Sequence, residues 1–421
     1  MIGRVLLVVL TIGIAGSMAV TQSPTEDEPL RRLATETMTA RGPAADRAIA
    51  DLRRRGPQAL EPLFAMRTAM IKRRASSIES QRDEVLAADL QRIKNVIDRV
   101  AGQRYAHASR LYWYTELEAA KAAARASGKP ILSLRMLGKL TDEFSCANSR
   151  FFRTTLYPNR EVARRLRENF VLHWQSVRPV PLVTIDFGDG RKLQRTLTGN
   201  SAHYVLAADG TPLDVLPGLY GPQQFLAWLD TVEKLHRHVA RLSPDERKSR
   251  LQRHHAGQIE QIARRWADDL EAVASKTVLD ARDRVSALTK ATTDEHWKRI
   301  SLLPSHVVAL DAISRRIIRD ENTGLIQPGE VAVTKDKVEW SVQLLVRSLQ
   351  RSIAEDGVRN EYKLHRRAHE WFAAGEAPGD IEPFNNRVYA ELFLMPMSDP
   401  WLGLAPREAY TALENGGVEE D

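Results

Sequence analysis

Residues 137–174 read LGKLTDEFSCANSRFFRTTLYPNREVARRLRENFVLHW. An apolar run, Ile131–Leu137, leads into this stretch, and the lone Cys146 sits where a loop gives way to a helical pattern. The spacing predicts a strand over 130–137, a helix opening at Cys146 and running to Thr155, a helix over 159–169, and a strand over Phe170–Ser176. A strand that delivers a thiol to a helix start favours reactivity, because unpaired helix N–H groups and the macrodipole stabilise the thiolate. Whether this cysteine does chemistry is the question the stretch poses.

Working outward, Tyr114–Ser127 reads as a helix stopped by Gly128-Lys129-Pro130. Val183–Phe187 and Lys192–Leu197 flank Gly188-Asp189-Gly190, a hairpin signature, and Tyr204–Ala207 and Pro212–Leu216 flank Asp209-Gly210, a second one. Gly221-Pro222 opens a helix through Phe225, Leu229, Val232 and Leu235. Helices alternating with strands, then a hairpin and a closing helix, describe a compact mixed sheet covered by helices.

Both flanks read as helical. Thr21–Pro29 is a polar, acidic linker. Ala44–Arg55 is amphipathic and ends at Gly56, with Pro57 placed to begin the next helix. Ile78, Val85, Leu90, Ile93, Ile97 and Val100 recur at helical spacing up to Gly102. The helix pair around Gly56 has the punctuation of a HEAT-like hairpin, without a second copy. Beyond Ser243-Pro244-Asp245-Glu246 the chain is helical, with Ser243 as an N-cap and breaks near Leu303-Pro304, Asn322–Gly329 and Gly375–Gly379. The expected parts are a signal over 1–19, a helical segment over 20–110, an α/β domain over 111–240 and a helical domain over 241–421.

Of the 421 residues, 43% are hydrophobic and 27% charged, enough for real cores beneath a solvated surface. The net charge of +7 is spread over the chain. Arg53-Arg54-Arg55 and Lys72-Arg73-Arg74 are short and lie within helical patterns, without the stacking aromatics of a nucleic-acid face. No nucleic-acid partner is expected; peripheral contact with an anionic membrane is the weaker alternative to a solvated helix face.

Arg4, the apolar Val5–Ile14 and the small residues Ser17-Met18-Ala19 form a secretory signal pattern with a cut after Ala19, an uncleaved anchor being the alternative. This places the expected site of action outside the cytoplasm, in the periplasm or cell envelope. There disulfides persist, yet the chain has one cysteine. It can form no internal disulfide and no cysteine-based zinc site, and redox chemistry would draw its second thiol from another molecule.

Residues 113–235 resemble thioredoxin-fold domains, especially the extracytoplasmic thioredoxin-like group. The resemblance rests on an ordered set: Gly128-Lys129-Pro130 before an apolar strand, a cysteine near the next helix start, Asn159-Arg160-Glu161-Val162, Glu168-Asn169-Phe170-Val171, Tyr204-Val205-Leu206 with Asp209-Gly210, and Pro217-Gly218-Leu219-Tyr220 before the last helix. It implies a thioredoxin-like α/β central domain with all-α flanks, and Cys146 as the attacking cysteine. The family motif is C-x-x-C, whereas here Cys146-Ala147-Asn148-Ser149 puts Ser149 at the resolving position, and Phe144-Ser145 stands where tryptophan is usual. The family's cis-proline, which borders the substrate groove, aligns with Ser201 or Ala202. A cis bond at a non-proline residue costs about 3 kcal/mol, so a trans loop is expected.

A C-x-x-S site can form a mixed disulfide but needs an outside thiol to release it. Two readings follow: monothiol exchange with a thiol or disulfide client, or a redox-inactive binding scaffold in which Cys146 is an inert buried thiol. Lys139, Arg150 and Arg153 would favour a thiolate, and Asp142 and Glu143 would oppose it. His203, close to Ser201, is the acid/base candidate. Glu361, His365 and His369 share one helical face and could hold a metal, but Arg366 stands where the zinc-protease motif needs Glu; they read as surface histidines. His254-His255 reads as solvent-facing, and Trp401 as an apolar plug or docking patch. No cofactor and no metal is expected.

Overall fold

The N-terminal segment forms four main helices, α1 (Pro24–Thr39), α2 (Gly42–Arg54), α3 (Leu60–Ser76) and α4 (Ser80–Ala101). They belong to a computed structural model that describes residues 24–76, 80–274, 294–322, 335–404 and 412–417. The stretch read as a signal lies outside the described residues. Residues 24–29, expected as linker, instead open α1: Pro24 suits a first helical position, and the polar run continues straight into the helix. Ile49, Leu52, Leu63, Phe64, Ile93 and Ile97 close a core between these helices. Val85, although in the apolar pattern, is 66% exposed.

Arg53 at the end of α2 ties this bundle to the centre. Its guanidinium donates to the carbonyls of Val100 and Trp113, both at 2.8 Å, and the Tyr112 hydroxyl donates to its own carbonyl at 2.6 Å. A short turn, α5 (Ala106–Ser109), then leads to α6 (Leu117–Ser127). The chain before α6 is extended, and Tyr114 bridges to His173, so the helix starts three residues later than the pattern suggested.

The central sheet holds β1 (Ile131–Leu137), β2 (Val171–Arg178), β5 (Ser201–Leu206) and β6 (Pro212–Pro217) in the order β2-β1-β5-β6. β1 runs parallel to β2, with Leu134 opposite Trp174, and antiparallel to β5, with Leu134 opposite His203; β5 and β6 are antiparallel. Every residue of β1, β5 and β6 is buried, which matches their near-continuous apolar runs and requires cover on both faces. Between β1 and β2 come α7 (Ala147–Phe151), a π-helical turn (Phe152–Leu156) and α8 (Arg160–Asn169), capped by Asn159, whose side chain accepts from the Glu161 and Val162 N–H groups. After β6, α9 (Pro222–Val239) packs beside α8, where Arg165 pairs with Asp230 and Glu233.

One expected hairpin departs from the sheet. β3 (Leu182–Asp186) and β4 (Lys192–Thr196) form a separate two-stranded ribbon. Thr184 and Asp186 interrupt β3, and Leu193 is the single apolar residue of β4, so neither offers the continuous apolar run that insertion into the buried sheet would demand. Val183, Ile185 and Leu193 share one face of it by register.

The remaining described helices are α10 (Pro244–Ala274), α11 (Asp294–Ser301), α12 (Ala312–Glu321), α13 (Lys335–Arg359), α14 (Arg366–Ala374) and α15 (Ile381–Arg387). Ser243 and Glu246 form the capping box that opens α10, with Ser243 Oγ 2.7 Å from the Glu246 carboxylate. A π-helical turn, Asn360–His365, joins α13 to α14, and another, Val388–Leu392, follows α15. The main core is continuous from the sheet into these helices, through Trp371, Phe384 and Tyr389. Polar contacts cross the same boundary: buried Arg135 of β1 pairs with Glu382 at 2.8 Å, and the Tyr204 hydroxyl donates to Asn385 at 3.1 Å. Of the stretch expected as an apolar plug or docking patch, Trp401 is 40% exposed and its neighbour Leu402 is buried. No described helix is long and apolar enough to cross a membrane.

Candidate functional site

Cys146 follows a loop that turns at Gly138, where φ is +75° and an added Cβ would lie 3.1 Å from the Ser145 backbone. The loop is gathered by Arg153, whose buried guanidinium donates to the carbonyls of Leu140 (3.4 Å), Asp142 and Glu143 (2.8 Å) and to Ser145 Oγ (3.2 Å). Burial lowers the Arg153 pKa to about 10, with neighbouring Arg104 and Arg150 adding to it against the opposing effect of Tyr105. Arg153 therefore serves the loop backbone and not the sulfur. Arg150 donates to the Ser145 carbonyl and to Thr196 Oγ1, both at 2.7 Å, tying the ribbon to this loop, and Lys139 is exposed.

The thiol itself has no exposed surface. The Cys146 N–H is bonded to the Leu137 carbonyl at 3.1 Å, and Sγ donates to Ser149 Oγ at 3.4 Å. Ser149 Oγ in turn lies 2.8 Å from both Ser145 Oγ and the Cys146 carbonyl. Gly199, at φ +107°, presses its backbone on the cysteine; a Cβ there would stand 2.8 Å from Cys146 Cβ. The same loop is held from two sides. Asn148 donates to the Asn200 side chain at 2.6 Å, and Tyr389, from the C-terminal region, donates to the Asn200 carbonyl at 2.9 Å. The helix that was to activate the sulfur, α7, has five residues before the π turn, with no side-chain cap at Cys146.

The expected groove residues are brought near this site but not into the open. Ser201, Ala202 and His203 are all buried within β5. The peptide bonds of the described residues, this loop included, are trans. His203, the acid/base candidate, packs between Phe152 and Phe225 and bonds through Nε2 to the Tyr157 hydroxyl at 2.8 Å. Burial depresses its pKa to about 3, so it is neutral across the physiological range.

A second constellation corrects the reading of the other histidines. His255, His365 and His369 are buried, not solvent-facing, and they meet Asp214 of β6. Their segments pack against the edge strand β6, with His365 in the π turn at 360–365 and His369 one turn on in α14. His255 Nε2 lies 3.0 Å from the Leu213 carbonyl and its Nδ1 lies 2.7 Å from His369 Nδ1. His365 Nδ1 lies 2.9 Å from Glu361, which also pairs with Arg265, while its Nε2 is 3.7 Å from Asp214 Oδ1. Burial opposes ionisation of Asp214, but His369, His365 and His255 outweigh it and hold its carboxyl well below the usual range. Burial likewise works against a charged His365, yet Glu361 and Asp214 raise it to about 9. His255 is lowered to about 4 and His369 is held well below its usual value, chiefly by burial. Sequence reasoning missed Asp214; its signal is a single carboxylate inside the apolar strand Pro212–Pro217.

Comparison with protein-family models, with curated proteins and with solved structures finds no match to this chain.

Proposed function

We propose that the chain is an extracytoplasmic thioredoxin-fold protein whose central domain binds a protein partner and does not exchange disulfides. The fold reading is supported by the order of its elements: β1, a cysteine at a helix start, α8, parallel β2, then the antiparallel β5–β6 pair and the closing helix α9. The envelope location rests on the signal pattern at Arg4 to Ala19.

The observation that carries the functional reading is the enclosure of Cys146. Disulfide exchange needs a thiolate that can approach an incoming disulfide. Here the sulfur has no exposed surface, its proton goes to Ser149, and the Gly199–Asn200 loop over it is fastened by Tyr389. A surface open to a partner is the ribbon beside this loop, where Ile185 is 44% and Phe187 55% exposed. An open two-stranded edge beside an apolar face suits an extended peptide segment.

The test is incubation of the native chain with oxidised glutathione near pH 8, read by intact mass. Exchange would join Cys146 Sγ to one glutathione sulfur and release the other as thiolate. The expected result is no adduct until urea unfolds the chain. Rapid adduct formation on the folded chain would overturn the binding reading in favour of monothiol exchange.

A further inference from the structure

We propose that Asp214, His255 and His369, with His365 as a fourth donor, bind one divalent transition-metal ion of the zinc type. This inference is independent of the reading of Cys146. One ligand-type atom from each of Asp214, His255 and His369 lies within 4.8 Å of the other two, and all three residues are buried. They come from β6, α10 and α14, so the fold assembles the cluster from three separate segments.

The hydrogen bonds fix what each group can offer. Only an N–H can meet the Leu213 carbonyl, so His255 carries its proton on Nε2 and presents a lone pair at Nδ1. Such anchoring of the far ring nitrogen by a backbone carbonyl is how metal-binding imidazoles are usually oriented. In the ion-free arrangement His369 donates Nδ1–H to that lone pair, which leaves the His369 Nε2 lone pair without a partner among the described residues. Asp214 Oδ1 accepts from the Val215 N–H at 2.7 Å, whereas Oδ2 is buried without a partner; His365 Nε2, 3.7 Å from Oδ1, becomes the fourth donor on losing its proton. Unpaired buried acceptors of this kind are costly. A cation between the two Nδ1 atoms takes both of their lone pairs and Asp214 Oδ2 at once, once His369 carries its proton on Nε2.

The fit in size is close. Zinc–nitrogen bonds of about 2.0–2.1 Å place tetrahedral ligands roughly 3.3 Å apart. The two Nδ1 atoms are 2.7 Å apart, so an ion held between them needs the rings to separate by roughly half an ångström and the His369 proton to move from Nδ1 to Nε2. Two or three imidazoles with one carboxylate favour zinc and its late first-row neighbours, whereas calcium and magnesium ask for oxygen ligands. Asp214, His365 and His369 also line a cleft of about 460 Å³ between α9, α10 and the helix at 360–369, the side from which an ion would approach. The competing account is an ion-free His–His–Asp cluster that merely joins β6 to α10 and α14.

The test uses the full chain stripped with EDTA, titrated with Zn²⁺ by calorimetry and with Co²⁺ by visible absorption. The expected result is one equivalent bound, with the intense d–d bands of a four-coordinate cobalt site. Asp214→Asn and His255→Gln should each weaken Zn²⁺ binding by more than about a hundredfold, beyond the 10–100-fold that loss of a merely orienting group costs. His238→Gln, which alters an exposed histidine, should leave binding unchanged. Circular dichroism reports whether each variant folds. Should both ligand variants unfold, the cobalt spectrum of the unaltered chain decides: weak octahedral bands or no binding overturn the proposal. Tight binding that survives in folded Asp214→Asn and His255→Gln overturns it equally.

Discussion

Replacing Arg153 by methionine is expected to free the loop that carries Cys146 while the domain stays folded. The guanidinium makes two short contacts, to the carbonyls of Asp142 and Glu143, and two longer ones, to Leu140 and Ser145. A hydrogen bond from a charged donor contributes roughly 1.5–3 kcal/mol, but burying this cation opposes the gain, and the freed carbonyls of the exposed loop can turn to water. The net loss in loop closure is therefore about 2–3 kcal/mol, whereas methionine keeps most of the buried volume. If a buried thiol reacts only after a local opening, that loss multiplies its alkylation rate by roughly 30–150, at about 1.4 kcal/mol per factor of ten. The assay is alkylation of Cys146 by iodoacetamide in native buffer, run beside urea unfolding of the same sample. An alkylation rate that rises no more than global stability falls would refute the reasoning, since access would then depend on unfolding the whole domain and not on this loop.

Other outcomes follow from the same contacts. Gly199→Ala puts a Cβ against Cys146 at φ +107°. It should cost about 2 kcal/mol by urea unfolding and raise the alkylation rate; an unchanged midpoint would mean the backbone shifts freely there. Glu382→Ala leaves Arg135 buried without its counter-charge; because Glu382 is half exposed, the loss is expected near 1–3 kcal/mol, less than the 3–5 of a fully buried pair. Arg135→Met in the same background should recover most of it, and failure to recover would assign the loss to Glu382 packing alone. In the ion-free chain, His173, His203, His255 and His369 all have depressed pKa values in the fold, burial being the main cause. The unfolded chain, with histidines near 6.5, binds more protons below that pH, so stability should fall as pH drops from about 6.5 toward 4. His365 works in the opposite sense: raised to about 9, its contribution is full below about 6.5 and is lost as pH rises through 9. Urea midpoints that stay flat between pH 6.5 and 4.5 would contradict the acid side, and Glu361→Gln should flatten the alkaline side.

Much of the central architecture was legible because its signals are local. The apolar runs at 131–137 and 204–216, the Asp209-Gly210 turn, the Asn159 cap and the Ser243–Glu246 box each specify their own element. What stayed hidden depends on contacts far apart in the chain. Hydrophobic periodicity counts histidine as polar, so His255 in an arginine-rich helix looked exposed; its meeting with Leu213 and His369, 42 and 114 residues away, and its stacking on Phe372 bury it. The cover over Cys146 has the same character, since Tyr389 reaches Asn200 across 189 residues. The ribbon misled for a different reason: its turn residues predict pairing between β3 and β4 but not whether the pair joins the larger sheet. Asp214 was the one local clue left unread, a carboxylate that a buried strand tolerates only with nearby compensation.

The enclosure of Cys146 is tested most directly by its alkylation rate in the unaltered chain, measured from zero urea through the unfolding transition. The account predicts a native rate suppressed by at least about a thousandfold relative to the unfolded chain, rising as the fold opens. A native rate within about tenfold of the unfolded value would contradict it and make Cys146 an available nucleophile.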